Sequence, residues 1–121
     1  ALKSIVYISS NISNRGAKAF NTYAASKGAL DALMRSMAVE LAPKIRVNSI
    51  LPGAVMTEMT QNIFENEEVE GRMKATYPLG FGYPSDIADG VDFLLSERAR
   101  WIDSIENRKL SGSFKLLCAI R

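Results

Sequence analysis

The sequence contains no histidine, and its only cysteine is Cys118. The absence of histidine excludes Ser-His-Asp triads and histidine acid–base catalysis, and it argues against a catalytic zinc site. A single cysteine excludes an intramolecular disulfide and fits a reducing compartment, so we expect a cytoplasmic protein. Any proton chemistry near neutral pH therefore falls to Tyr, Lys, Asp, Glu or Cys side chains.

The sequence also lacks a strong charge bias and a long apolar run. Its 15 Lys and Arg residues nearly balance 13 Asp and Glu residues, so a nucleic-acid or membrane partner is not indicated. No apolar run approaches the roughly 18 residues of a membrane span, and the first ten residues show no signal-peptide pattern. With 121 residues, 47% of them hydrophobic, we expect one small globular domain.

Short apolar segments alternate with segments of helical periodicity. Strands are predicted at Ser4–Ser9 and Arg46–Leu51, and helices at Thr22–Leu41 and Tyr83–Ser96. The other segments are predicted as a loop over Asn11–Asn21, a loop with one or two helical pieces over Thr57–Tyr77, and a third strand over Ser113–Ile120. Pro84 and Asp86 suit the first turn of the last helix. This order predicts an α/β fold whose parallel sheet is covered by helices on both faces.

The predicted helix over Thr22–Leu41 is apolar on two sides. One face carries large side chains and another carries small ones: Leu30, Leu33, Met34, Met37 and Leu41 on the first, and Ala25, Ala29, Ala32 and Val39 on the second. Only a narrow strip with Asp31 and Arg35 is polar. Such a helix needs two burial partners, of which the sheet is one. The other is either a neighbouring helix of the same domain or a second subunit, which predicts a homo-oligomer of the complete protein through residues 22–41.

Tyr23 and Lys27 lie four residues apart in the motif YAASK, at the start of this helix. Residues at this spacing are neighbours on one side of a helix. An ammonium beside a phenol stabilises the phenolate, so the tyrosine becomes a better acid and a usable base. Such a group can protonate a developing alkoxide or take the proton of an alcohol. The pair alone is weak evidence, because a chain of this composition contains one by chance in about one case in four.

Further candidate site residues follow the two predicted strands. Ser10 ends the first strand, and the carboxyl ends of parallel strands are where open α/β sheets form their sites. Pro52 and Gly53 end the second strand, and a glycine lets the backbone approach a flat ligand closely. Thr57 comes four residues later, with a hydroxyl that can hydrogen-bond an amide. We therefore expect Ser10 and Tyr23 to face one substrate oxygen.

These motifs occur in a fixed order: ISS, YAASK, IRVNSILPGAVMT and PSDIADGVDFLLS. In order and spacing, the chain from about residue 4 to Ile102 resembles the short-chain dehydrogenase/reductases. It looks most like the branch that contains the 3-oxoacyl-acyl-carrier-protein reductases. The four blocks together are specific, unlike any one of them alone. The extended branch of sugar epimerases and dehydratases shares the Tyr–Lys motif but fits the RVNSILPG block less well.

The resemblance implies an oxidoreductase that transfers a hydride between NAD or NADP and a small-molecule carbonyl compound or secondary alcohol. By the same resemblance, Tyr23 is the general acid/base, Lys27 assists it, and Ser10 polarises the substrate carbonyl. The implied cofactor contacts are Tyr23, Lys27, Pro52, Gly53, Val55 and Thr57, and no metal is implied. Residues 57–77 resemble the family's substrate loop, where Met59, Phe64, Met73 and Tyr77 either meet an apolar substrate or, as we favour, pack against neighbours.

The resemblance also implies a fold and its limits. Residues 1–103 correspond to the C-terminal half of a Rossmann-like, doubly wound parallel sheet, with about three strands and flanking helices. Residues 104–121 form a divergent tail with a candidate last strand. The family's Gly-rich phosphate loop, catalytic asparagine and final Asp-Gly-Gly are not found, so we expect this chain alone to be poorly stable, to bind nicotinamide weakly and to be inactive. The alternative hypothesis is a non-catalytic remnant that serves as an oligomerisation or partner-binding module.

Overall fold

The computed structural model describes residues 1–103 and the backbone of two short segments near the C-terminus. In chain order its elements are β1 (Ser4–Ile8), α1 (Ile12–Arg15), α2 (Asn21–Leu41), β2 (Arg46–Pro52), α3 (Glu58–Phe64), α4 (Glu67–Thr76), α5 (Pro84–Leu95), a 3₁₀ turn (Glu97–Ala99), β3 (Ile102–Asp103), β4 (Phe114–Leu117) and β5 (Ala119–Ile120). The predicted α/β class is confirmed, because helices separate β1 from β2 and β2 from β3, and β1 and β2 are parallel.

The two longer strands form a parallel pair with helices on both sides. β1 and β2 pair from Ser4 opposite Arg46 to Ile8 opposite Ile50. On one face Met34 of α2 packs against Val47, and on the other Leu94 of α5 packs against Ile50. Apolar side chains on both faces of a strand are typical of a sheet covered on both sides. This arrangement confirms the predicted layering and fixes α2 over the carboxyl end of β1.

The C-terminal strands differ from the single strand predicted over Ser113–Ile120. β4 pairs antiparallel with the edge of β2, and β5 pairs antiparallel with β3. The sheet order is β1-β2-β4, so the prediction of an all-parallel sheet holds for β1 and β2 and is wrong for β4. The direction of a strand depends on the chain that connects it, which an apolar run does not reveal. Residues 104–113, Cys118 and Arg121 lie outside the described part, as does most of the predicted tail.

A polar contact joins β3 to β2 where β4 does not reach. The Asp103 carboxylate accepts the Val47 N–H at 3.0 Å, and Asn48 Nδ2 donates to Ile102 O at 3.1 Å. Arg46 donates to Leu94 O at 2.9 Å and to Ser96 O at 3.3 Å. Backbone groups at this edge of β2 and at the end of α5 are thus satisfied by side chains. These contacts stabilise the end of the sheet that is opposite to the candidate site.

The helices differ from expectation mainly in the predicted loop over Asn11–Asn21, which contains the short helix α1. The one or two helical pieces predicted over Thr57–Tyr77 are α3 and α4. The start of α5 is as predicted from Pro84 and Asp86. Pro84 is the first helical residue, and the Asp86 carboxylate accepts the Tyr83 N–H at 2.7 Å. None of the helices in the described part is long and apolar enough to cross a bilayer.

The faces of α2 are partly as predicted. Met34 and Ala38 are fully buried. Leu33, predicted on the same face, is 48% exposed, and Val39 of the small-residue face is 67% exposed. Asp31, predicted on the polar strip, is only 4% exposed. That prediction was wrong because α1 lies against this part of α2, and Ser13 of α1 donates a hydrogen bond to the Asp31 carboxylate.

Candidate active site

Ser10 lies just beyond the carboxyl end of β1. Ser9 N–H donates to Ile50 O at 2.8 Å and Asn11 N–H donates to Pro52 O at 3.1 Å, so β1 and β2 stay paired past the end of β1. Ser10 is buried, at 8% exposure, and its Oγ accepts the N–H of Ile12 at 3.3 Å. Among the described residues its own hydroxyl hydrogen has no acceptor. That hydrogen is free to bond a ligand oxygen.

Tyr23 and Lys27 occupy the first two turns of α2, on the side that faces Ser10. Lys27 Nζ donates to Ile8 O at 3.0 Å and lies 5.7 Å from the centre of the Tyr23 ring. The ring of Phe20 meets the Tyr23 ring edge-to-face, with centroids 6.0 Å apart. The Tyr23 hydroxyl has no hydrogen-bond partner within the described residues. The carbonyl at the end of β1 therefore orients the ammonium, while the phenol remains available to a ligand.

The segment after β2 forms the opposite side of the site. Backbone hydrogen bonds of 2.8 and 2.9 Å join Met56 N to Gly82 O and Gly82 N to Ala54 O. They hold this segment against the chain that precedes α5. Val55 and Gly82 also form an isolated parallel β-bridge. Residues 53–57 thereby form a fixed wall.

Thr57 begins α3 through a reciprocal cap with Thr60. Thr60 N–H donates to Thr57 Oγ1 at 3.3 Å, and Thr57 N–H donates to Thr60 Oγ1 at 2.8 Å. Thr60 Oγ1 also lies 2.7 Å from Val55 O, which can only accept, so the hydroxyl hydrogen of Thr60 is donated to this carbonyl. The hydroxyl hydrogen of Thr57 can then be donated to Thr60 Oγ1 at 3.0 Å or to a ligand. Sequence reasoning missed Thr60, because a Thr at this position departs from the usual capping pattern with Glu or Gln.

All seven predicted site residues line one cavity of about 380 Å³. They are Ser10, Tyr23, Lys27, Pro52, Gly53, Val55 and Thr57. An adjoining cavity of about 410 Å³ extends towards α3 and α4. Ser10 and Tyr23 line both cavities, as do Gly53 and Val55. The two available hydroxyls thus lie where two binding spaces meet.

The second cavity has mainly apolar walls. The four residues singled out after Thr57 all line it, namely Met59, Phe64, Met73 and Tyr77. Phe64 and Tyr77 are also packed, at 7% and 9% exposure, and the Phe64 ring stacks on Phe81 at 4.4 Å. Met59, in contrast, is 77% exposed. Packed and exposed side chains therefore both line this cavity, and the favoured packing alternative describes Phe64 better than Met59.

Other residues at the cavity were missed by sequence reasoning. Asn11 Nδ2 donates to Tyr77 Oη at 3.0 Å, which links the turn after β1 to the end of α4 across the cavity. Phe20 and Arg15 line the same space, and Arg15 is the one charged residue among the described residues that line it. The position of Asn11 directly after Ser10 was the available signal. Within residues 1–103 and the two short strands, no group of three His, Cys, Asp or Glu residues lies together.

The residues that line the cavity of about 380 Å³ can be compared with what a nicotinamide group requires. A flat amide needs a close backbone wall and hydrogen-bond donors, which Gly53 and the Thr57 hydroxyl offer. Lys27 keeps two N–H donors beyond the one bonded to Ile8 O. The residues present therefore fit a nicotinamide nucleoside.

Both the sequence and the fold of the chain match those of known proteins. A family model described as Enoyl-(Acyl carrier protein) reductase matches residues 2–105. L-xylulose reductase of Bos taurus is 43% identical over 97 residues, which cover 78% of this chain and 40% of that protein. The chain thus spans about two fifths of the length of this relative.

Two solved structures show the same fold. 4-hydroxyisoleucine dehydrogenase complexed with NADH superposes with a TM-score of 0.79 at 37% identity, covering 83% of this chain and 42% of that chain. A short-chain dehydrogenase/reductase from Brucella melitensis, described as a glucose/ribitol dehydrogenase, superposes with a TM-score of 0.76 at 37% identity, covering 83% and 40%. With its ordered motifs, its parallel β1–β2 pair and these matches, the chain belongs to the short-chain dehydrogenase/reductase family.

Proposed function

We propose that this chain carries the catalytic half of an NAD(P)-dependent oxidoreductase acting on a carbonyl compound or a secondary alcohol. The observation that carries the proposal is the position of the Ser10 and Tyr23 hydroxyls. Both line the two adjoining cavities, and neither hydroxyl hydrogen has an acceptor within the described residues. Two free donors at the meeting point of two cavities suit a substrate oxygen that changes charge during reaction.

Each residue then has a role that follows from its contacts. Ser10 donates its hydroxyl hydrogen to the substrate oxygen, because its Oγ already accepts from Ile12 N–H. Tyr23 gives a proton to that oxygen during reduction and takes it back during oxidation. Lys27, held by Ile8 O, places a positive charge beside the Tyr23 ring and stabilises the phenolate.

The cavity of about 380 Å³ is the proposed nicotinamide site. Pro52, Gly53 and Val55 would form its wall, Thr57 would bond the carboxamide, and Lys27 would bond the ribose. When bound, the nicotinamide supplies or accepts the hydride. A similar structure, 4-hydroxyisoleucine dehydrogenase, is complexed with NADH, which supports a nicotinamide cofactor. The choice between NAD and NADP stays open.

The adjoining cavity is the proposed substrate site, and its walls bear on the substrate class. Phe20, Met59 and Ile63 line it and are 38%, 77% and 40% exposed. Apolar side chains left in contact with water at a cavity are typical of a ligand site. We infer a carbonyl substrate with an apolar body. The narrower assignment to the 3-oxoacyl-acyl-carrier-protein reductase branch stays a prediction.

The test compares Tyr23→Phe with Tyr83→Phe in the full-length protein that contains this segment. Tyr23→Phe removes the proton donor alone, so kcat should fall by about 10²- to 10⁴-fold. The dissociation constant of the nicotinamide cofactor, measured by its fluorescence, should stay within about twofold. Tyr83 is 60% exposed, and its variant should retain wild-type kcat. Equal losses of turnover and cofactor binding in Tyr23→Phe would contradict the acid/base role.

A second candidate function is an oligomerisation or partner-binding module. It is favoured by the exposure of Leu33 and Val39 on α2, together with Ala25, Ala29 and Ala32, which are also exposed. The same surface supports a homo-oligomer of an active enzyme, so the two hypotheses share it. Turnover by the wild-type protein that is lost in Tyr23→Phe would favour the enzyme over the non-catalytic module. The inactivity of this chain alone and its cytoplasmic location stay predictions.

A further inference from the structure

Asp31 continues the Tyr23–Lys27 spacing by one more turn of α2. Residues at i, i+4 and i+8 lie along one side of a helix. Tyr23 and Lys27 reach the cavities, whereas Asp31 is buried under α1, at 4% exposure. Within the described residues no Lys or Arg forms an ion pair with it, and its Oδ1 has no hydrogen-bond partner. A buried carboxylate without a counter-charge is costly, so its partners need an explanation.

The partner of Asp31 is Ser13, in the first turn of α1. Ser13 Oγ is in short contact with Asp31 Oδ2 and also lies 2.8 Å from Ser10 O. A hydroxyl has one hydrogen and both of these oxygens accept, so we assign the Ser13 hydroxyl hydrogen to the Asp31 carboxylate. Ser13 N–H donates to the same Ser10 O at 3.2 Å. The Ser10 peptide group is therefore fixed from its carbonyl side by Ser13, and Ser13 is fixed by Asp31.

The contact joins the two elements that carry the proposed catalytic hydroxyls. Ser10 follows β1, and Tyr23 begins α2, so their relative position depends on how the turn after β1 is held against α2. Lys27 Nζ bonded to Ile8 O makes one link between them. A second link starts one turn further along the same helix, where Asp31 accepts from the Ser13 hydroxyl and the Ser13 N–H donates to Ser10 O.

We propose that Asp31 is a positioning residue that holds the Ser10 peptide group, and with it the Ser10 side chain, in place relative to Tyr23 by holding Ser13. The proposal rests on the proposed function, since a catalytic role of Ser10 gives the link its purpose. Asp31 lines neither cavity, so it acts through Ser13 alone. A displacement of about 1 Å in a reacting group can change a rate by about 100-fold.

The experiment uses Asp31→Leu and Asp31→Asn in the full-length protein. Both variants lose the charge and keep a similar size, but only Asn retains an oxygen that accepts from Ser13. Asp31→Leu should lower kcat by about 10- to 100-fold with cofactor affinity within about twofold. Asp31→Asn should keep kcat within about threefold of wild type. Glu40→Leu is the control, because Glu40 is an exposed carboxylate of the same helix.

A second variant keeps the test decisive if Asp31→Leu does not fold. Ser13→Ala removes the intermediate link from a half-buried position, and it should lower kcat as much as Asp31→Leu. The double variant Ser13→Ala with Asp31→Asn should have the same kcat as Ser13→Ala alone, because both residues act through the same series of hydrogen bonds. Ser36→Ala, an exposed hydroxyl on α2, should be neutral. Wild-type kcat in folded Asp31→Leu or in Ser13→Ala would overturn the proposal.

The result can be separated from failure of the proposed function. If Tyr23→Phe abolishes turnover while Asp31→Leu and Ser13→Ala do not change it, only the positioning role fails. If wild-type protein binds cofactor but Tyr23→Phe retains turnover, the proposed function fails. In that case the link is still measured by hydrogen exchange at Ser13 N–H, which donates to Ser10 O. Exchange should be faster in Asp31→Leu than in Asp31→Asn and Glu40→Leu, and equal rates would overturn the link itself.

Discussion

The two sides of the substrate cavity are built differently. We call residues 8–31 the catalytic wall and residues 58–77 the substrate wall. On the catalytic wall, side-chain hydrogen bonds join the turn after β1 to α2 through the Lys27–Ile8 and Ser13–Asp31 contacts. The substrate wall is attached near its two ends, by Thr60 to Val55 O and by Tyr77 to Asn11. Between these points its contact with the rest of the described chain includes the stack of Phe64 on Phe81.

The difference matches two different demands. Proton transfer needs donor and acceptor held within a few tenths of an ångström, which polar cross-links provide. Admission of an apolar substrate needs a surface that can open, and segments with few buried contacts open at low free energy. The ion pairs on the substrate wall, Glu68–Arg72 at 3.6 Å and Glu70–Lys74 at 2.7 Å, lie within α4 and are exposed, so they do not attach it to the sheet.

Removing the stacked ring should have the largest effect on the substrate wall. Phe64→Ala deletes a side chain that is 7% exposed, and such a change costs about 3–5 kcal/mol. Because Phe64 contacts Phe81 rather than the sheet core, the loss should appear as local opening. Native-state hydrogen exchange should show faster exchange in α3 and α4, with the amides of β1 and β2 unchanged.

The control for this change is Ile63→Ala. Ile63 is the neighbouring residue of α3 and is 40% exposed, so its loss should open α3 far less. Equal effects of the two variants, or faster exchange spreading into β2, would mean that the substrate wall is part of the main core. The two walls would then not be independent units.

On the catalytic wall, adjacent serines offer a matched pair. Ser10→Ala removes the free donor at the cavities and should lower kcat by about 10²- to 10³-fold, the usual loss for one donor to a reacting oxygen. Ser9 is also buried, but its hydroxyl donates to Lys27 O at 3.4 Å and is not free. Ser9→Ala should therefore change kcat by less than about tenfold. A larger fall in kcat in Ser9→Ala than in Ser10→Ala would mean that Ser9, and not Ser10, bonds the substrate oxygen.

The catalytic wall was also the more predictable side from sequence. Short apolar runs gave β1 and β2, and helical periodicity gave α2 and α5, since these elements repeat one local pattern over several residues. The ends of the two parallel strands then lie together by geometry, which brings the predicted residues into one cavity. The spacing of Tyr23 and Lys27 needs no tertiary information, because one helix sets it.

What could not be predicted depends on contacts between distant residues. The burial of Asp31 requires α1, a four-residue helix too short to show periodicity. The cross-cavity bond joins Asn11 to Tyr77, 66 residues apart, and neither side chain has a local signal for it. The antiparallel direction of β4 likewise follows from the path of the chain rather than from its apolar residues.

The smallest expected effect concerns the link between the two walls. Tyr77→Phe removes only the hydroxyl that accepts from Asn11 Nδ2 at 3.0 Å, and a single hydrogen bond of this kind contributes about 0.5–1.5 kcal/mol. The ring of Tyr77 stays packed, so the free energy of global unfolding should change little. The substrate wall should open more often, which should raise KM for the carbonyl substrate by a few-fold and leave kcat within about twofold. Steady-state kinetics of Tyr77→Phe, with Tyr83→Phe as the control, measures both constants. A large fall in kcat at unchanged KM would instead mean that the Tyr77 hydroxyl acts on the reacting group.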